Sequence, residues 1–450
     1  MFVWLTPQQY RPRRLVLKVV RFTASEIADA VGGVVHGDPA TVVTGATQDS
    51  REITAGQLFV PLLAERDGHD FIAKALERGA AAYLTSAPPI EGTAIGVDDT
   101  TRALEALGAY SRSRLTDPVI GITGSVGKTS AKDLLAEILA ADRPTHASAK
   151  SFNNEIGVPL TLVNAPDATE ATVVEMGARG VGHIEVLSRI VEPTIGVVTT
   201  VAGAHTGEFG SIENIAIAKG ELVEALPNDG LAVLNADNPL VLAMAKRTAG
   251  EVITFGESPN ADVQITSVEL DSELRPTIRI ESKWGNITAQ PPIRGAHLAP
   301  NVAASIAVAL WLGLTPAVIG EGLAKAQMSP WRMEVFAASS GALVINDSYN
   351  ANPTSTRGAI DSLSRLERGR KVAILGYMAE LGDQEASLHR EIATEVETLG
   401  IELVAVGTDL YGVEPVTSPL DALGSIGADT AVLIKASRSA GLEQVADQLR

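Results

Sequence analysis

The glycine-rich segment VIGITGSVGKTS, residues 119–130, carries the most readily identified chemistry in this 450-residue chain. An apolar strand pattern leads into it, and Lys128 and Thr129 stand at the start of a helical pattern. Glycines at this spacing permit a tight turn whose N–H groups face phosphate oxygens, and a helix N-terminus adds positive partial charge. Lys128 would neutralise the β- and γ-phosphates, and the Thr129 hydroxyl would bind Mg²⁺. The predicted nucleotide-binding residues are Gly124, Ser125, Val126, Gly127, Lys128, Thr129 and Ser130.

Two further residues are candidates for a metal site beside that turn. Glu175 ends the apolar strand pattern ATVVEMG, and His205 follows the strand pattern TIGVVTT. Ligands of open α/β sheets bind beyond the carboxyl ends of the strands, so both side chains are expected near the phosphates. A carboxylate suits Mg²⁺, whereas a lone histidine in a glycine-rich loop is often a structural hydrogen-bonding residue. Spacing alone leaves a functional and a structural role open for both.

The composition restricts the partners of the chain. Lys and Arg number 36 against 54 Asp and Glu, so the formal net charge is −18, and such a surface repels nucleic-acid backbones and anionic lipids. There are no cysteines, which excludes disulfides and thiolate metal sites and fits a reducing cytoplasm. No apolar run reaches the roughly 18 residues of a membrane-spanning helix. We expect a cytoplasmic protein that binds neither nucleic acid nor membranes.

Two proline breaks, at Asp117-Pro118 and Ser329-Pro330, divide the chain, because the residue before a proline is disfavoured in helices. Short apolar runs between turns precede the first break and predict a small mixed α/β domain. Between the breaks, apolar strands alternate with helices, which predicts a mainly parallel sheet, and a Rossmann-like alternation follows the second break. The predicted units are an N-terminal extension (1–20), a small N-terminal domain (21–116), a central domain (117–328) and a C-terminal domain (329–450). The predicted fold class is α/β.

Individual helices and strands can also be predicted along these units. Thr23 or Ser25 would cap a first short helix that ends at Gly32 and Gly33. The more polar interval 261–293 predicts antiparallel strands. The other predicted helices lie at residues 73–78, 104–113, 132–141, 184–190, 212–226 and 301–312, and one more ends near Gln327. Strands of the C-terminal domain are predicted in ALVINDSY, KVAILGY, ELVAVG and AVLIKA.

Seven segments in order along residues 21–449 resemble the Mur ligase superfamily. They are TGSVGKTS, SFNNEIGVPLTL, EMGARGVGHIEVL, AHTGEFGSIENIAIAKGEL, LNADN, NDSYNANPTS and MAELG. The resemblance implies a first domain that binds a UDP-sugar precursor, a central ATPase domain and a C-terminal domain that brings the incoming amine. It also implies an ATP-dependent ligase that acts with Mg²⁺ in peptidoglycan precursor synthesis.

The segments SFNNEIGVPLTL and DSYNANP favour one branch of that superfamily. They imply addition of D-alanyl-D-alanine to UDP-N-acetylmuramoyl-tripeptide through an acyl phosphate, by a cytoplasmic monomer that releases ADP and phosphate. Two alternatives remain open at this stage. A ligase of the Mur or folylpolyglutamate type could add a single amino acid instead, and a P-loop regulatory NTPase would need no amine acceptor.

The resemblance also implies roles around the nucleotide. Thr129, Glu175 and His205 would surround Mg²⁺, and Lys219 would be either a carbamylated metal ligand or a plain ammonium that contacts phosphate or substrate. Asn301 corresponds to a position that reads adenine, Arg332 to one that contacts the phosphates, and Asp347 to one near the ribose. The implied catalytic residues are Lys128, His205, Lys219 and Arg332. The base that deprotonates the amine stays open between water and His205.

Further residues are implied for the other substrates. Asp49, Ser50 and Arg51 would contact the uridine side, and Asn153, Asn154 and Arg179 the muramoyl-peptide. Asn350 and Asn352 would shape the nucleotide loop, although asparagine before proline is also common turn chemistry. Two departures from the pattern, Tyr377 and Ala436, concern binding of the incoming dipeptide, and Ala436 is expected to restrict the backbone where relatives have glycine.

Overall fold

The computed structural model describes residues 20–116, 118–203 and 206–450. The predicted extension lies outside these ranges except for Val20, and so do Asp117 and His205. Val20 is 6% exposed and belongs to the same hydrophobic cluster as Phe22, so it is part of the folded N-terminal unit. Within the described ranges, no helix has both the length and the apolar character that crossing a membrane requires.

The N-terminal unit combines short strands with α-helices. Its strands are β1 (Phe22–Thr23), β2 (Val34–His36), β3 (Val42–Val43), β4 (Ala46–Thr47), β5 (Leu58–Phe59), β6 (Ala82–Thr85) and β7 (Thr93–Gly96). Its helices are α1 (Ala24–Val31), α2 (Ile72–Glu77) and α3 (Thr100–Arg112). β1 pairs with β3, and the order of the other sheet is β2-β7-β6-β5-β4, parallel except between β2 and β7. Thr23 forms a capping box with Glu26, and Gly32 ends α1 at φ 65°.

A nine-stranded sheet forms the central unit. Its strands are β8 (Val119–Thr123), β9 (Thr145–Ala147), β10 (Ala171–Glu175), β11 (Ile195–Val198), β12 (Leu231–Asn235), β13 (Glu251–Gly256), β14 (Val263–Leu270), β15 (Pro276–Ser282) and β16 (Ile287–Ala289). The order is β16-β15-β14-β13-β12-β11-β8-β10-β9. Pairing is parallel from β9 to β14 and antiparallel among β14, β15 and β16. The predicted antiparallel interval therefore extends the parallel sheet.

Helices cover both faces of this sheet, as parallel strands require. They are α4 (Lys128–Ala140), α5 (Gly157–Val163), α6 (His183–Val191), α7 (Thr206–Phe209), α8 (Ile212–Glu224), α9 (Pro239–Leu242), α10 (Ala299–Trp311) and α11 (Pro316–Lys325). α10 is apolar nearly all round and buried from Ala299 to Leu310 except at Pro300, which is typical of a core helix. It packs against α4, the helix that follows the glycine-rich turn.

The C-terminal unit is a second, smaller α/β layer. Its strands are β17 (Glu334–Ala337), β18 (Leu343–Asn346), β19 (Arg370–Leu375), β20 (Glu402–Ala405) and β21 (Thr430–Lys435), in the order β17-β18-β21-β19-β20. All neighbours are parallel except β17 and β18. Its α-helices are α12 (Pro353–Ser364), α13 (Glu385–Thr398), α14 (Pro419–Leu423) and α15 (Glu443–Leu449). Short 3-10 helices lie at Gly68–Phe71, Ala243–Arg247, Ala296–Leu298, Gly382–Gln384 and Arg438–Ala440.

Shared hydrophobic clusters join the three units. One cluster runs from central residues such as Leu134 to C-terminal residues such as Ile360 and Leu433. Another joins the N-terminal unit to Leu160 and Val163 of α5. This packing brings the carboxyl ends of the central strands opposite the loop that follows β18.

Candidate active site

The glycine-rich turn connects β8 to α4 as predicted. Gly124 adopts φ 150°, and a Cβ there would lie 1.9 Å from the Thr199 Oγ1. Gly127 caps α4 at φ 89°, and a Cβ there would lie 2.3 Å from the Asn301 Oδ1. Because side chains fit at neither position, the backbone of the turn can approach a bound group closely. The N-terminus of α4 opens onto this turn and favours an anion.

A cavity of about 590 Å³ lies between this turn and the C-terminal unit. It collects most of the predicted site residues, which are Ser125, Val126, Gly127, Lys128, Thr129, Ser130, Asn153, Asn154, Glu175, Arg179, Lys219, Arg332, Asp347, Asn350 and Asn352. The predicted site residues that the structure describes but that do not line this cavity are Gly124, Asn301 and the segment 49–51. A second cleft of about 830 Å³ lies beside the amino ends of β11 and β12 and contains none of the predicted residues.

A chain of hydrogen bonds crosses the cavity wall from the central to the C-terminal unit. The Asn153 Nδ2 donates to the Glu175 Oε1 over 2.8 Å, and the Thr129 hydroxyl donates to the Glu175 Oε2 over 2.8 Å. The Arg332 Nη2 then donates to the Thr129 Oγ1 over 2.8 Å. Glu175 is 1% exposed, so these two donors hold its carboxylate at a fixed position. Asn153 therefore orients Glu175, and its predicted contact with the muramoyl-peptide stays a prediction.

Two buried amines face the same cavity. The Lys128 Nζ donates to the Gly124 carbonyl over 2.8 Å, and burial lowers the pKa of Lys128, with the Glu175 carboxylate opposing that shift. Lys219 on α8 is 3% exposed, and burial followed by the charge of Lys128 holds its pKa well below the ordinary value. An anionic group between the two amines would stabilise their charged forms.

The arrangement of donors and positive charges around the cavity fits a nucleoside triphosphate. Arg332 lines the cavity, and its Nε is buried without a hydrogen-bond partner among the described residues. A buried unpaired donor is costly unless an acceptor reaches it. The closely approachable turn and the two amines supply the rest of a phosphate site. For Mg²⁺, the Thr129 hydroxyl and Glu175 offer oxygen atoms, which that ion prefers. In the described part of the chain no three His, Cys, Asp or Glu side chains form a metal-binding group, and His205 lies outside it.

The loop after β18 forms the C-terminal wall. Asp347 pairs with the Lys435 Nζ over 2.5 Å and accepts the Met333 backbone N–H over 3.0 Å. The Asn350 carbonyl accepts from the Lys435 Nζ over 2.9 Å. Asn352 caps α12, because its Oδ1 accepts the Ser355 N–H over 2.9 Å. The turn-chemistry alternative therefore describes the Asn352 side chain.

The segment 49–51 forms a separate feature of the N-terminal unit. Arg51 pairs with Asp49 over 2.6 Å and lowers the pKa of the Asp49 carboxyl to about 2. Ser50 is 7% exposed, whereas 77% of the Arg51 side chain is exposed. The neighbouring Glu52 pairs with Lys150 of the central unit over 3.3 Å. These residues lie beside the loop that leads into the cavity.

The two departures from the family pattern lie behind the cavity wall. Tyr377 stacks on His389, and its hydroxyl is hydrogen-bonded to Glu385. Ala436 is fully buried, and a Cβ added to Gly376 would lie 2.7 Å from the Ala436 methyl. Ala436 is not among the positive-φ residues and its methyl packs into the C-terminal core, so this position does not require glycine for its backbone angles. Its predicted effect on binding of the incoming dipeptide stays a prediction.

Several lining residues were not predicted as site residues. Lys435 and Tyr349 had no predicted role, although they stand in the noted segments AVLIKA and DSYNANP. Glu380 and Arg438 also line the cavity, and Glu380 adopts φ 68° in MAELG. Local sequence patterns indicate that such motifs matter, but a partner 88 positions away, such as Asp347 for Lys435, leaves no local signal.

Comparison with family models finds a match for each of the two larger units. The model of the Mur ligase middle domain matches residues 122–309. The model of the Mur ligase glutamate ligase domain matches residues 331–450.

Comparison with individual proteins extends the similarity to nearly the whole chain. The UDP-N-acetylmuramoyl-tripeptide–D-alanyl-D-alanine ligase of Bacillus subtilis (strain 168) is 36% identical over 394 residues, which cover 86% of this chain and 85% of that protein. A crystal structure of MurF from Acinetobacter baumannii is 29% identical, with a TM-score of 0.85 and coverage of 96% and 99% of the two chains. A MurF ligase structure from Thermotoga maritima in complex with ADP is 27% identical, with a TM-score of 0.78 and coverage of 90% and 96%. The predicted α/β fold is confirmed by these structures.

Proposed function

The chain belongs to the Mur ligase family, and on that premise we propose that it joins D-alanyl-D-alanine to UDP-N-acetylmuramoyl-tripeptide at the expense of ATP. The relative from Bacillus subtilis is named for this reaction. The sequence identity between the two proteins and the share of both chains that the match covers support the same reaction for this chain. The product would be a muramoyl-pentapeptide precursor of peptidoglycan, released together with ADP and phosphate.

The charges in the cavity suit activation of a carboxylate. A carboxylate is a poor acylating agent because an amine cannot displace oxide, and ATP supplies a phosphoryl group that turns this oxygen into part of a leaving group, giving an acyl phosphate. Both reacting partners are anionic, so cations must offset their repulsion. Lys128 of the central unit and Arg332 of the C-terminal unit supply two such cations beside the glycine-rich turn.

One observation carries the proposal most directly: Arg332, from the C-terminal unit, donates to Thr129 at the start of α4, the helix that follows the glycine-rich turn. The phosphate site is therefore complete only when the two units meet. Such an arrangement holds acid, phosphate and amine in fixed positions, which contributes several kcal/mol in reactions of this kind. It also excludes water, which would hydrolyse the activated acid.

We assign the metal and amine chemistry to residues on the central side of the cavity. Thr129, Glu175 and His205 would hold Mg²⁺, which screens phosphate charge when bound. The lowered pKa of Lys219 favours the neutral amine, the form that combines with carbon dioxide, and so supports the carbamate alternative over a plain ammonium. Water or His205 would deprotonate the incoming amine.

The remaining assignments follow the family pattern. The segment 49–51 would contact uridine. The residues that would contact the muramoyl-peptide are Asn153, Asn154 and Arg179. Asp347 would lie near the ribose, with Asn301 near adenine. We propose that the chain acts as a monomer in the cytoplasm.

Phosphate release tests the proposed reaction and its alternatives together. The purified protein is incubated with ATP and Mg²⁺, and phosphate is measured with both substrates, with each alone, and with D-alanine in place of the dipeptide. We expect fast release and pentapeptide product only when UDP-N-acetylmuramoyl-tripeptide and D-alanyl-D-alanine are both present. Equal turnover with D-alanine would favour single-residue addition, and release that ignores both substrates would favour a regulatory NTPase.

A further inference from the structure

Tyr349 makes a contact between the two larger units that none of the predicted roles uses. It lies in the loop after β18, and its hydroxyl is hydrogen-bonded to the Ser151 Oγ, 198 positions earlier in the central unit. Ser151 is the first residue of the segment SFNNEIGVPLTL, which also contains Asn153. Both Tyr349 and Ser151 line the 590 Å³ cavity.

The ring of Tyr349 also supports Arg332. The Arg332 Cζ lies 4.0 Å from the ring centroid, within the range of a cation–π contact. The Tyr349 backbone N–H donates to the Trp331 carbonyl over 3.2 Å. On either side of Arg332, Trp331 adopts φ 61° and Met333 φ 50°, so the backbone here is unusual and needs supporting contacts to persist.

We propose that Tyr349 is a positioning residue that couples the meeting of the two units to the placement of Arg332 on Thr129. Its hydroxyl holds Ser151, its ring holds the guanidinium, and the guanidinium donates to the Thr129 Oγ1 over 2.8 Å. We call the pair Tyr349–Ser151 the latch. This inference rests on the proposed ligase function, because it assigns Tyr349 a part in bringing Arg332 to the phosphate site.

Separate variants test the hydroxyl and the ring. Tyr349→Phe and Ser151→Ala each remove the same hydrogen bond, and we expect each to lower kcat by about 3- to 10-fold, the range of one lost hydrogen bond. The KM for ATP should change by less than about twofold, because the P-loop and Lys128 are untouched. The double variant should be no worse than Tyr349→Phe alone, because Ser151→Ala removes an interaction that Tyr349→Phe has already removed. Tyr349→Leu removes the ring as well and should lower kcat by about 10-fold more.

Hydrogen exchange of the ligand-free protein gives a readout that does not depend on turnover. Peptides that cover residues 329–335 should exchange at least about threefold faster in Tyr349→Phe and Ser151→Ala than in the wild type, because a weaker latch raises the population in which this segment is open. Tyr411→Phe is the matched control. The buried Tyr411 hydroxyl donates to the Gly376 carbonyl over 2.8 Å in the same unit, outside the cavity. It should lose stability but keep kcat and the exchange rate of residues 329–335.

The results separate the latch from the ligase function. Wild-type kcat and exchange in Tyr349→Phe, additive losses in the double variant, or an equal kcat loss in Tyr411→Phe would each overturn the latch while pentapeptide synthesis by the wild type still stood. Absence of pentapeptide synthesis by the wild type would instead remove the ligase function. If Tyr349→Leu fails to fold, the phenylalanine and alanine variants decide the question alone.

Discussion

Lys128 combines burial with a charge that only a bound anion would fully offset. Its Nζ donates to the Gly124 carbonyl, and burial lowers its pKa. Such a group gains most when a phosphate enters, so its contribution concerns turnover more than folding.

Replacing Lys128 with alanine tests this at the residue scale. We expect kcat to fall by about 10²-fold or more, the scale of one lost charge-stabilising donor, with thermal unfolding little changed. Steady-state kinetics and calorimetry measure the two effects. Lys246→Ala, at an exposed lysine outside the cavity, is the control and should behave as wild type. Near-normal kcat in Lys128→Ala would argue against the assigned phosphate site.

Asn153 allows a test of the metal site through its neighbour. Its amide donates to the Glu175 carboxylate over 2.8 Å. Replacing a residue that hydrogen-bonds to a metal ligand typically lowers the metal affinity by 10- to 100-fold. We expect Asn153→Ala to raise the Mg²⁺ concentration for half-maximal activity by about 10-fold, with metal-free ATP binding unchanged. If the Mg²⁺ dependence stayed constant and the KM for the UDP-linked tripeptide rose, the result would support the muramoyl-peptide role predicted from the sequence.

Sequence motifs predicted which residues lie in this site, but they did not predict which other residues these side chains contact. The P-loop residues and Glu175 lie together because they end neighbouring parallel strands, which periodicity can predict. That Asn153 would hold Glu175, or that Arg332 would rest on Tyr349, depends on backbone angles and long-range packing. The left-handed conformations of Trp331 and Met333 leave no trace in local propensity.

At the scale of elements, the long periodic helices were predicted, whereas some of the short strands were not. The helices predicted at 132–141, 212–226 and 301–312 are found with shifts of up to four residues at their ends. One of the short apolar runs before the first proline break, at residues 57–63, contains only the two-residue strand β5. β17, at the sheet edge, was not predicted. Short edge strands owe their pairing to neighbours rather than to their own residues.

Helix α13 docks against the MAELG loop through His389, and this contact should depend on pH. The His389 Nε2 accepts the Met378 N–H over 3.0 Å, so its Nδ1 must carry the proton that the Glu385 carbonyl accepts. Burial lowers the pKa of His389, so the folded state resists protonation. Below the ordinary pKa of about 6.5 the unfolded chain binds the extra proton, and the free energy of unfolding therefore falls as the pH falls.

Urea unfolding between about pH 7.5 and about pH 5.5 measures this dependence, on either side of that ordinary pKa. We expect His389→Gln to be less stable at neutral pH but to lose less further stability on acidification than the wild type. His36→Gln, at an exposed histidine, should keep the wild-type slope. Identical slopes for His389→Gln and the wild type would show that this histidine does not carry the effect.

For the whole molecule, each sheet lies inside one of the three units predicted from the proline breaks, while the exact boundaries stay predictions. How the units meet was not predictable, because interface residues such as Leu160 look like any other core residue in sequence. The N-terminal unit docks partly through Asn164, whose side chain both accepts the Ala46 N–H and donates to the Ala46 carbonyl, each over 2.9 Å.

Asn164→Ala tests this docking. The buried Ala46 N–H would lose its partner, so we expect the free energy of unfolding to fall by about 2 kcal/mol in urea titrations. Asn214→Ala, which loses one hydrogen bond inside the central unit, should cost about 1 kcal/mol or less. A loss at Asn164 no larger than at Asn214 would mean that the docking rests on the apolar contacts alone.

The close approach of Gly376 and Ala436 limits which substitutions this fold can accept together. Only one methyl group fits between the ends of β19 and β21, because a second would lie 2.7 Å from the first. A homologue with glycine at 436 therefore has room for alanine at 376, and the two positions should vary as a compensating pair. Gly376→Ala alone would clash with the Ala436 methyl and should be selected against, whereas Ala436→Gly only removes a methyl group and can therefore come first.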